Sequence, residues 1–229
     1  MPPSKTGPKA PRPPLILPPA PDHAHEAEAL AGLPAGALVC GVDEAGRGPW
    51  AGPVHAGAVV LNPDAIPEGL NDSKKLTARR REALAAELKA CADWAVGVAS
   101  VEEIDRLGLG RAADLAMIRA VEGLPRPPAF ALIDGRRVPP GLPCPSGWLI
   151  KGDARSVSIA AASILAKTER DAEMDRLAVL HPEYGWEANR GYGAPAHIAA
   201  LKLWGVTPHH RRSFRPIHNI LVEESRPTD

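Results

Sequence analysis

The fold of this chain depends on the stretch Cys40-Gly41-Val42-Asp43-Glu44-Ala45-Gly46-Arg47-Gly48-Pro49-Trp50. An apolar run from Leu38 to Val42 is partly β-branched and closed by glycine, which favours a buried strand. Two adjacent acids end the run, and a surface ion pair with Arg47 is one explanation for them. The glycines beside Arg47 let backbone N–H groups approach a ligand closely. The stretch therefore also predicts a phosphodiester site at the end of a strand.

Composition limits the class of protein but does not identify its partner. Lys+Arg and Asp+Glu both number 27 in 229 residues, so the net charge gives no indication of nucleic-acid binding. The cysteines lack metal-ligand spacing and cannot all pair, which predicts reduced thiols in the cytoplasm: Cys40, Cys91 and Cys144. No apolar run approaches the ~20 residues of a membrane span. We therefore expect a cytoplasmic protein without a membrane partner.

Proline marks the expected domain boundary. Nine of the 26 prolines lie in residues 1–22, a segment too poor in apolar residues to offset its ordering entropy. We expect residues 1–36 to be a disordered tail and linker, although His23 to Leu33 could form a short helix. Residues 37–220 are predicted to fold as one domain, and residues 221–229 to fray.

The rest of the pattern alternates strands and helices. Four further strands are predicted: Val54–Leu61, Trp94–Val101, Ala129–Ile133 and Trp148–Ile150. Four helices are predicted: Thr77 to about Ala90, Glu102–Val121 (weakened by Gly108 and Gly110), Ser156–Leu180 and Pro195–Trp204.

Three of the apolar runs end in an acid beside a glycine. The acids are Asp43, Asp134 and Asp153, with Glu44 next to the first. A sheet with these acids along one rim would carry a carboxylate cluster there. Oxygen ligands of this kind suit a hard cation, Mg²⁺ with Mn²⁺ as a substitute.

Two basic segments are candidate phosphate-binding surfaces. Lys74 and Lys75 lie before a helix whose first turn is also basic, against the preference of the helix dipole. Arg211 and Arg212 lie in a segment with Phe214, a pattern typical of polyanion-binding surfaces. A solvated basic face is the alternative for both segments.

Two other site types fit the sequence poorly. Gly46-Arg-Gly-Pro-Trp-Ala51 resembles a dinucleotide fingerprint, but residues 53–61 alternate as a strand and leave no room for the required helix. A zinc site is disfavoured because the histidines lack ligand spacing. They are expected to be surface groups or phosphate donors: His181, His197, His209 and His210.

Six ordered blocks resemble type 2 ribonuclease H, specifically bacterial ribonuclease HII, from about Leu38 to Ile217. The blocks are Gly41-Val-Asp-Glu-Ala-Gly-Arg-Gly-Pro49, Leu70-Asn-Asp-Ser-Lys-Lys-Leu76, Leu132-Ile-Asp-Gly135, Lys151-Gly-Asp153, Ala161-Ala-Ser-Ile-Leu-Ala-Lys167 and His210-Arg-Arg-Ser-Phe214. The resemblance implies an α/β ribonuclease H-like fold: a mixed five-stranded sheet flanked by helices, with a helical C-terminal extension. It also implies an endonuclease that cuts RNA in RNA–DNA hybrids and 5′ of single ribonucleotides in duplex DNA, leaving 5′-phosphate and 3′-hydroxyl ends.

The resemblance also assigns site residues. Asp43, Glu44, Asp134 and Asp153 match the four catalytic acids, which would hold two Mg²⁺ or Mn²⁺ ions. Asp171 is an alternative fourth acid. The substrate-binding candidates are Gly46, Arg47, Gly48, Lys74, Lys75, Tyr192, Arg211 and Arg212; the tyrosine matches one that reads the junction between ribose and the following deoxyribose.

Two residues depart from the family pattern, and other functions remain open. Arg136 stands where asparagine is usual, and Arg190 where lysine is common. Both changes put rate or context preference in doubt. A catalytically inactive hybrid-binding module and a related nuclease such as a junction resolvase are the alternatives, although no acid of the predicted site is replaced. We expect a monomer.

Overall fold

The computed structural model describes residues 17–224, and its centre is a mixed five-stranded sheet. The strands are β1 (Val39–Ala45), β2 (Val54–Val60), β3 (Asp93–Ala99), β4 (Phe130–Asp134) and β5 (Ser146–Leu149). Their spatial order is β3-β2-β1-β4-β5. The β1–β2 and β2–β3 pairs are antiparallel, whereas β1–β4 and β4–β5 are parallel. The mixed sheet expected from the resemblance is confirmed.

Eight α-helices in the described residues surround the sheet and extend it at the C-terminal end. They are α1 (Ala24–Ala31), α2 (Ala78–Cys91), α3 (Val101–Leu107), α4 (Leu109–Glu122), α5 (Val157–Leu180), α6 (Trp186–Asn189), α7 (Pro195–Trp204) and α8 (Arg215–Glu224). Short 3-10 turns occupy Pro63–Ala65, Ser73–Lys75, Gly152–Ala154 and Pro182–Tyr184. No helix within residues 17–224 has both the length and the apolar character to cross a membrane.

The two faces of the sheet bury separate apolar layers. Cys40 and Val42 of β1 pack with α4 on one face, and Val59 of β2 packs with α2 and α5 on the other. Helix α5 approaches closely because β1 carries a glycine: a Cβ on Gly41 would lie 2.2 Å from the backbone of Ser158. This close packing fixes the position of β1, and hence of the acids at its end.

Local capping explains several helix boundaries. Thr77 Oγ1 accepts from the Arg80 N–H, and Ser156 Oγ accepts from the Ile159 N–H, as expected of N-caps. The single helix expected over Glu102–Val121 is wrong. Gly108 has φ of 79°, which ends α3 and starts α4, so the glycine divides the helix instead of only weakening it.

The expected tail and linker need correction. Residues 1–16 lie outside the described part, but α1 packs against β1. Its Glu26 is only 2% exposed, and Glu26 Oε1 accepts hydrogen bonds from the Oγ atoms of Ser156 and Ser158. Sequence reasoning missed this anchor because a single polar contact leaves no periodic pattern. The frayed end expected from residue 221 is also wrong in part, since α8 continues to Glu224.

Candidate active site

Three strand ends bring acids to one edge of the sheet. Asp43 lies near the end of β1 and Asp134 ends β4, the parallel strand beside it. Asp153 lies in the 3-10 turn that follows β5, the next parallel strand. Because the carboxyl ends of parallel strands lie at the same edge of a sheet, the three acids lie along one edge. Glu44 follows Asp43 within β1, so the strand runs further than the expected end at Val42.

Backbone and cationic groups hold these acids in place. The Gly152 N–H donates to Asp134 Oδ1 at 2.6 Å, and the Glu44 N–H donates to Asp43 Oδ1 at 2.7 Å. Arg47 Nη1 lies 3.3 Å from Glu44 Oε1. Each contact either satisfies an oxygen or compensates part of one negative charge, but none neutralises the group as a whole.

Burial raises the pKa of every acid in the group, and repulsion between carboxylates adds to the rise at Asp43, Asp134 and Asp153. Burial raises the pKa of Asp43 well above its ordinary range, and the charges of Glu44, Asp134 and Asp153 add to the shift. Burial, followed by the charges of Asp134 and Asp72, raises the pKa of Asp153 to about 6. Burial also raises the pKa of Glu44, although the charge of Arg47 lowers it in part. Burial raises the pKa of Asp134 as well, although the hydrogen bond from the Gly152 N–H lowers it in part. The four groups therefore require added positive charge to ionise together.

The donor set suits a hard divalent cation, although its side chains are not drawn together. Within residues 17–224, no three His, Cys, Asp or Glu side chains are placed so that they could hold one ion. The four carboxylates nevertheless perturb one another, and their oxygens are the ligands that Mg²⁺ and Mn²⁺ prefer. We conclude that the residues fit such ions by the chemistry of their donor atoms.

A glycine turn and a tyrosine loop flank the acids. A Cβ on Gly48 would lie 3.1 Å from Tyr192 Cε1, so the tyrosine ring lies against the turn. Tyr192 is 50% exposed. Gly191 O accepts from the Trp50 N–H at 2.8 Å, which ties the tyrosine loop to the end of the turn. The structure thus brings together Gly46–Gly48 and Tyr192, which are far apart in sequence.

Comparison with known proteins identifies the family. The family model described as Ribonuclease HII matches residues 40–217. The chain belongs to the ribonuclease HII family. The ribonuclease HII of Jannaschia sp. (strain CCS1) is 62% identical over 186 residues, covering 81% of this chain and 94% of that protein. The protein is accordingly a type 2 ribonuclease H, an endonuclease that acts on nucleic acid.

Solved structures support the same fold. The ribonuclease H2 from Pyrococcus horikoshii OT3 superposes with a TM-score of 0.71 at 28% identity. The match covers 83% of this chain and 100% of the other. Bst-RNase HIII, solved in complex with Mn²⁺, superposes with a TM-score of 0.64 at 20% identity, covering 89% of this chain and 82% of that one. The latter comparison concerns the fold alone.

Three of the four residues predicted in the two basic segments are exposed. Lys74 Nζ lies 4.0 Å from Asp153 Oδ2, and its side chain is 79% exposed. Burial lowers the pKa of Lys74, but Asp43 and the other nearby acids raise it above its ordinary value. Lys75 and Arg212 are also exposed. Lys74 is therefore an exposed cation beside the acids, 4.0 Å from both Asp72 and Asp153.

Arg211 is not at the surface, contrary to expectation. It is fully buried, and its guanidinium donates to backbone carbonyls of the glycine turn and of residues 52 and 53. It cannot contact a phosphate in this position. Arg81, at the basic start of α2, likewise donates to Ser73 O and Leu76 O. Sequence cannot separate such cations from phosphate ligands, because burial depends on tertiary contacts.

Two of the four histidines expected at the surface are in the core, whereas His181 and His209 are partly exposed. His197 and His210 are fully buried, and their Nε2 atoms are 3.0 Å apart. Rings of Tyr184 and Trp186 surround them. Burial, followed by the neighbouring His197, lowers the pKa of His210 to about 3. These two residues are neutral core groups of the C-terminal extension.

Asp153 and Asp171 occupy different electrostatic settings. Lys167 Nζ lies 2.5 Å from Asp171 Oδ1, and Arg81 and Arg190 lie 3.7 Å and 3.9 Å from its carboxylate. Three cations therefore compensate Asp171. Asp153, in contrast, experiences the charge of Asp134. The setting of Asp153 favours it as the fourth acid.

A polar cleft next to the acids contains a residue that the family pattern did not predict. The cleft has a volume of about 290 Å³ and is lined by Glu44, Arg47, Asp134, Arg136 and Arg137, among others. Arg137 is paired with Asp114 at 2.6 Å, whereas Arg136 is exposed. Arg136 thus adds positive charge to the lining of a cleft that also holds Glu44 and Asp134.

Proposed function

We propose that this ribonuclease HII cleaves the RNA strand of RNA–DNA hybrids and cuts 5′ of single ribonucleotides embedded in duplex DNA. The observation that supports this proposal is the juxtaposition of four mutually repelling carboxylates with the Gly46–Gly48 turn and the exposed Tyr192. The acids suit phosphate hydrolysis with cations, and the turn and tyrosine suit a sugar. Products would carry 5′-phosphate and 3′-hydroxyl ends, as needed in ribonucleotide removal and primer removal.

We further propose that Asp43, Glu44, Asp134 and Asp153 hold two Mg²⁺ or Mn²⁺ ions when substrate is present. When bound, such ions neutralise the phosphate charge and lower the pKa of water. Bst-RNase HIII with Mn²⁺ is a fold relative that binds one of these metals. The expected monomeric state and cytoplasmic location belong to the same proposal.

The protein's own groups then position the substrate and manage charge. Lys74, beside Asp153, is placed to pair with a phosphate oxygen next to the cut. Arg47 is held against Glu44 and leaves the backbone of the turn accessible. Tyr192 offers a ring to stack on a sugar and a hydroxyl to hydrogen-bond with it. The 2′-hydroxyl is the group by which a protein distinguishes RNA from DNA.

One assay tests this function. Matched duplexes containing zero, one and four ribonucleotides are incubated with the protein in Mg²⁺, in Mn²⁺ and in EDTA, and the product ends are analysed. We expect cuts only in the ribonucleotide-containing duplexes, only with metal, and with 5′-phosphate ends. Binding to hybrid without any cut in either metal would show an inactive hybrid-binding module instead. Cleavage of the all-deoxy duplex would contradict recognition of ribose.

A further inference from the structure

Two arginines are buried behind the glycine turn without an acidic partner. Arg211 is 0% exposed and Arg170 is 1% exposed. Neither forms an ion pair with a carboxylate within residues 17–224. Burial lowers the pKa of Arg211 to about 9 and that of Arg170 to about 10. Because burying an unpaired charge is costly, the fold must gain something specific from these guanidiniums.

Arg211 binds the inner side of the turn through all of its nitrogens. Its Nη1 donates to Arg47 O at 3.0 Å, and its Nη2 donates to Gly46 O at 2.5 Å and to Pro53 O at 3.2 Å. Its Nε donates to Gly52 O at 2.9 Å. One side chain thereby fixes carbonyls at both ends of the segment 46–53. A lysine has no such planar fork of donors.

Arg170, on α5, connects the turn to the tyrosine loop. Its Nη2 donates to Ala51 O at 3.2 Å and to Arg190 O at 3.1 Å, two residues before Tyr192. The guanidinium occupies the space left by a glycine, since a Cβ on Gly46 would lie 2.2 Å from Arg170 Nε. Gly46 also has φ of 95°, a conformation that favours glycine. The turn and the loop are therefore held as one unit.

Peptide planarity converts these inward contacts into outward donors. The C=O of one residue and the N–H of the next point in opposite directions across a trans peptide. Since Gly46 O and Arg47 O face Arg211, the N–H groups of Arg47 and Gly48 face away from it. In the part of the chain that the structure describes, neither N–H donates to a protein acceptor. Both are available to a ligand beside Tyr192.

We propose that Arg211 and Arg170 are positioning residues for ribose recognition, which turn the carbonyls of the segment 46–53 inward and so direct the Arg47 and Gly48 N–H groups, with Tyr192, at the 2′-hydroxyl. The inference rests on the proposed function. Neither arginine touches substrate; each acts through backbone that does. A structural role alone would instead affect binding of any duplex and cleavage of ribonucleotide duplexes together.

Arg211→Lys tests the inference, because it keeps the charge but loses the fork of donors. We expect kcat/KM on a duplex with one ribonucleotide to fall about 10²-fold, while Kd for the matched all-deoxy duplex stays within about threefold. Arg170→Lys should behave in the same way. Leu84→Ala is the control, because it shortens a buried side chain on α2, away from the glycine turn. It should lower thermal stability but, at temperatures well below its Tm, leave both quantities near wild type.

Two results would contradict the role proposed for the arginines. Wild-type cleavage by a folded Arg211→Lys protein would overturn the inference, as would equal losses of cleavage and of all-deoxy binding. If the lysine variants do not fold, Arg211→Gln takes their place, since its amide keeps two N–H donors in one plane, and it must show the same selective loss. Failure of the wild-type protein to cut any ribonucleotide duplex would instead refute the proposed function, so the two failures are distinguishable.

Discussion

At Asp43, burial and three neighbouring carboxylates act in the same direction. The side chain is 5% exposed, and Glu44, Asp134 and Asp153 all raise its pKa after burial itself. Among residues 17–224, Arg47 pairs with Glu44 at 3.3 Å and the largely exposed Lys74 lies 4.0 Å from Asp153, so two cations face four acids. We expect bound metal ions to supply the remaining positive charge, and each acid to be essential.

Substitution of the acids tests this requirement. Asp43→Asn and Asp134→Asn should each lower kcat by at least ~10³-fold in Mg²⁺, because each removes negative charge from the metal-binding group. Single-turnover cleavage of a duplex with one ribonucleotide is the measurement. Full activity of Asp134→Asn in Mg²⁺ would exclude this site as the catalytic one.

A matched pair of variants decides whether Asp153 or Asp171 is the fourth catalytic acid. Asp153→Asn should lower kcat about as much as Asp43→Asn does, because the Asp153 carboxylate interacts electrostatically with Asp134 and so belongs to the same group of acids. Asp171→Asn should cost less than about tenfold in kcat, since it removes an acid already compensated by cations. The same single-turnover assay compares the two variants. The reverse ranking would make Asp171 the metal ligand.

The raised pKa of Asp153 predicts a pH dependence of stability in the metal-free protein. Its pKa rises from 3.8 to about 6 on folding. Between those values the folded state holds a proton that the unfolded state has lost, so the free energy of unfolding falls as pH rises, by on the order of 2 kcal/mol. Urea denaturation in EDTA from pH 4 to 7 should show this fall in wild type, and a smaller fall in Asp153→Asn. Equal slopes would mean that folding leaves this pKa unchanged.

At the scale of elements, sequence patterns located most strands and helices because burial on one face leaves a periodic signal. The helix Pro195–Trp204 was predicted to the residue, and the strand run ending at Asp134 to within one. The carboxylate rim followed from strand ends alone. What the pattern could not show were contacts without periodicity. Three such contacts join residues more than ten positions apart in the sequence: Glu26 with Ser158, Arg211 with Gly46, and His210 with His197. No periodic pattern records them.

Glu26 on helix α1 makes one of these contacts, and we expect it to stabilise the fold. Glu26 accepts from Ser156 Oγ and from the N–H and Oγ of Ser158, next to the turn that carries Asp153. Glu26→Ala should lower the free energy of unfolding by about 1–3 kcal/mol, because it leaves these buried donors unpaired. Urea denaturation measures the change. Glu28→Ala is the control, since the Glu28 side chain is 84% exposed, and it should unfold like wild type.

The tyrosine loop is the second element with a testable role. Tyr192→Ala should reduce cleavage at a single embedded ribonucleotide by at least about tenfold, because loss of the ring removes stacking beside Gly48. Kd for plain duplex DNA should change far less. Tyr192→Phe keeps the ring and therefore separates stacking from hydrogen bonding by the hydroxyl. Wild-type cleavage by Tyr192→Ala would leave the tyrosine with a packing role only.

At the scale of the whole molecule, the formal net charge is zero, so any attraction to DNA depends on where the exposed cations lie. The chain carries equal numbers of cationic and anionic residues, 27 of each, so attraction to DNA must come from one face. Lys74, Lys75 and Arg212 are exposed. The guanidiniums of Arg81, Arg170 and Arg211 instead donate to backbone carbonyls. The number of phosphates that the protein neutralises should thus be smaller than its count of basic residues suggests.

Salt dependence measures that number. Each exposed cation that contacts a phosphate contributes about one unit to the slope of log affinity against log salt concentration. Lys74→Ala combined with Arg212→Ala should therefore flatten the slope for all-deoxy duplex binding by about two units, with similar effects on unrelated sequences. Arg126→Ala is the matched control, because Arg126 pairs with Asp93 at the start of β3, at the opposite end of the sheet. An unchanged slope in the double variant would show that these two charges are only solvated, and that the substrate meets the protein through the turn and the acids alone.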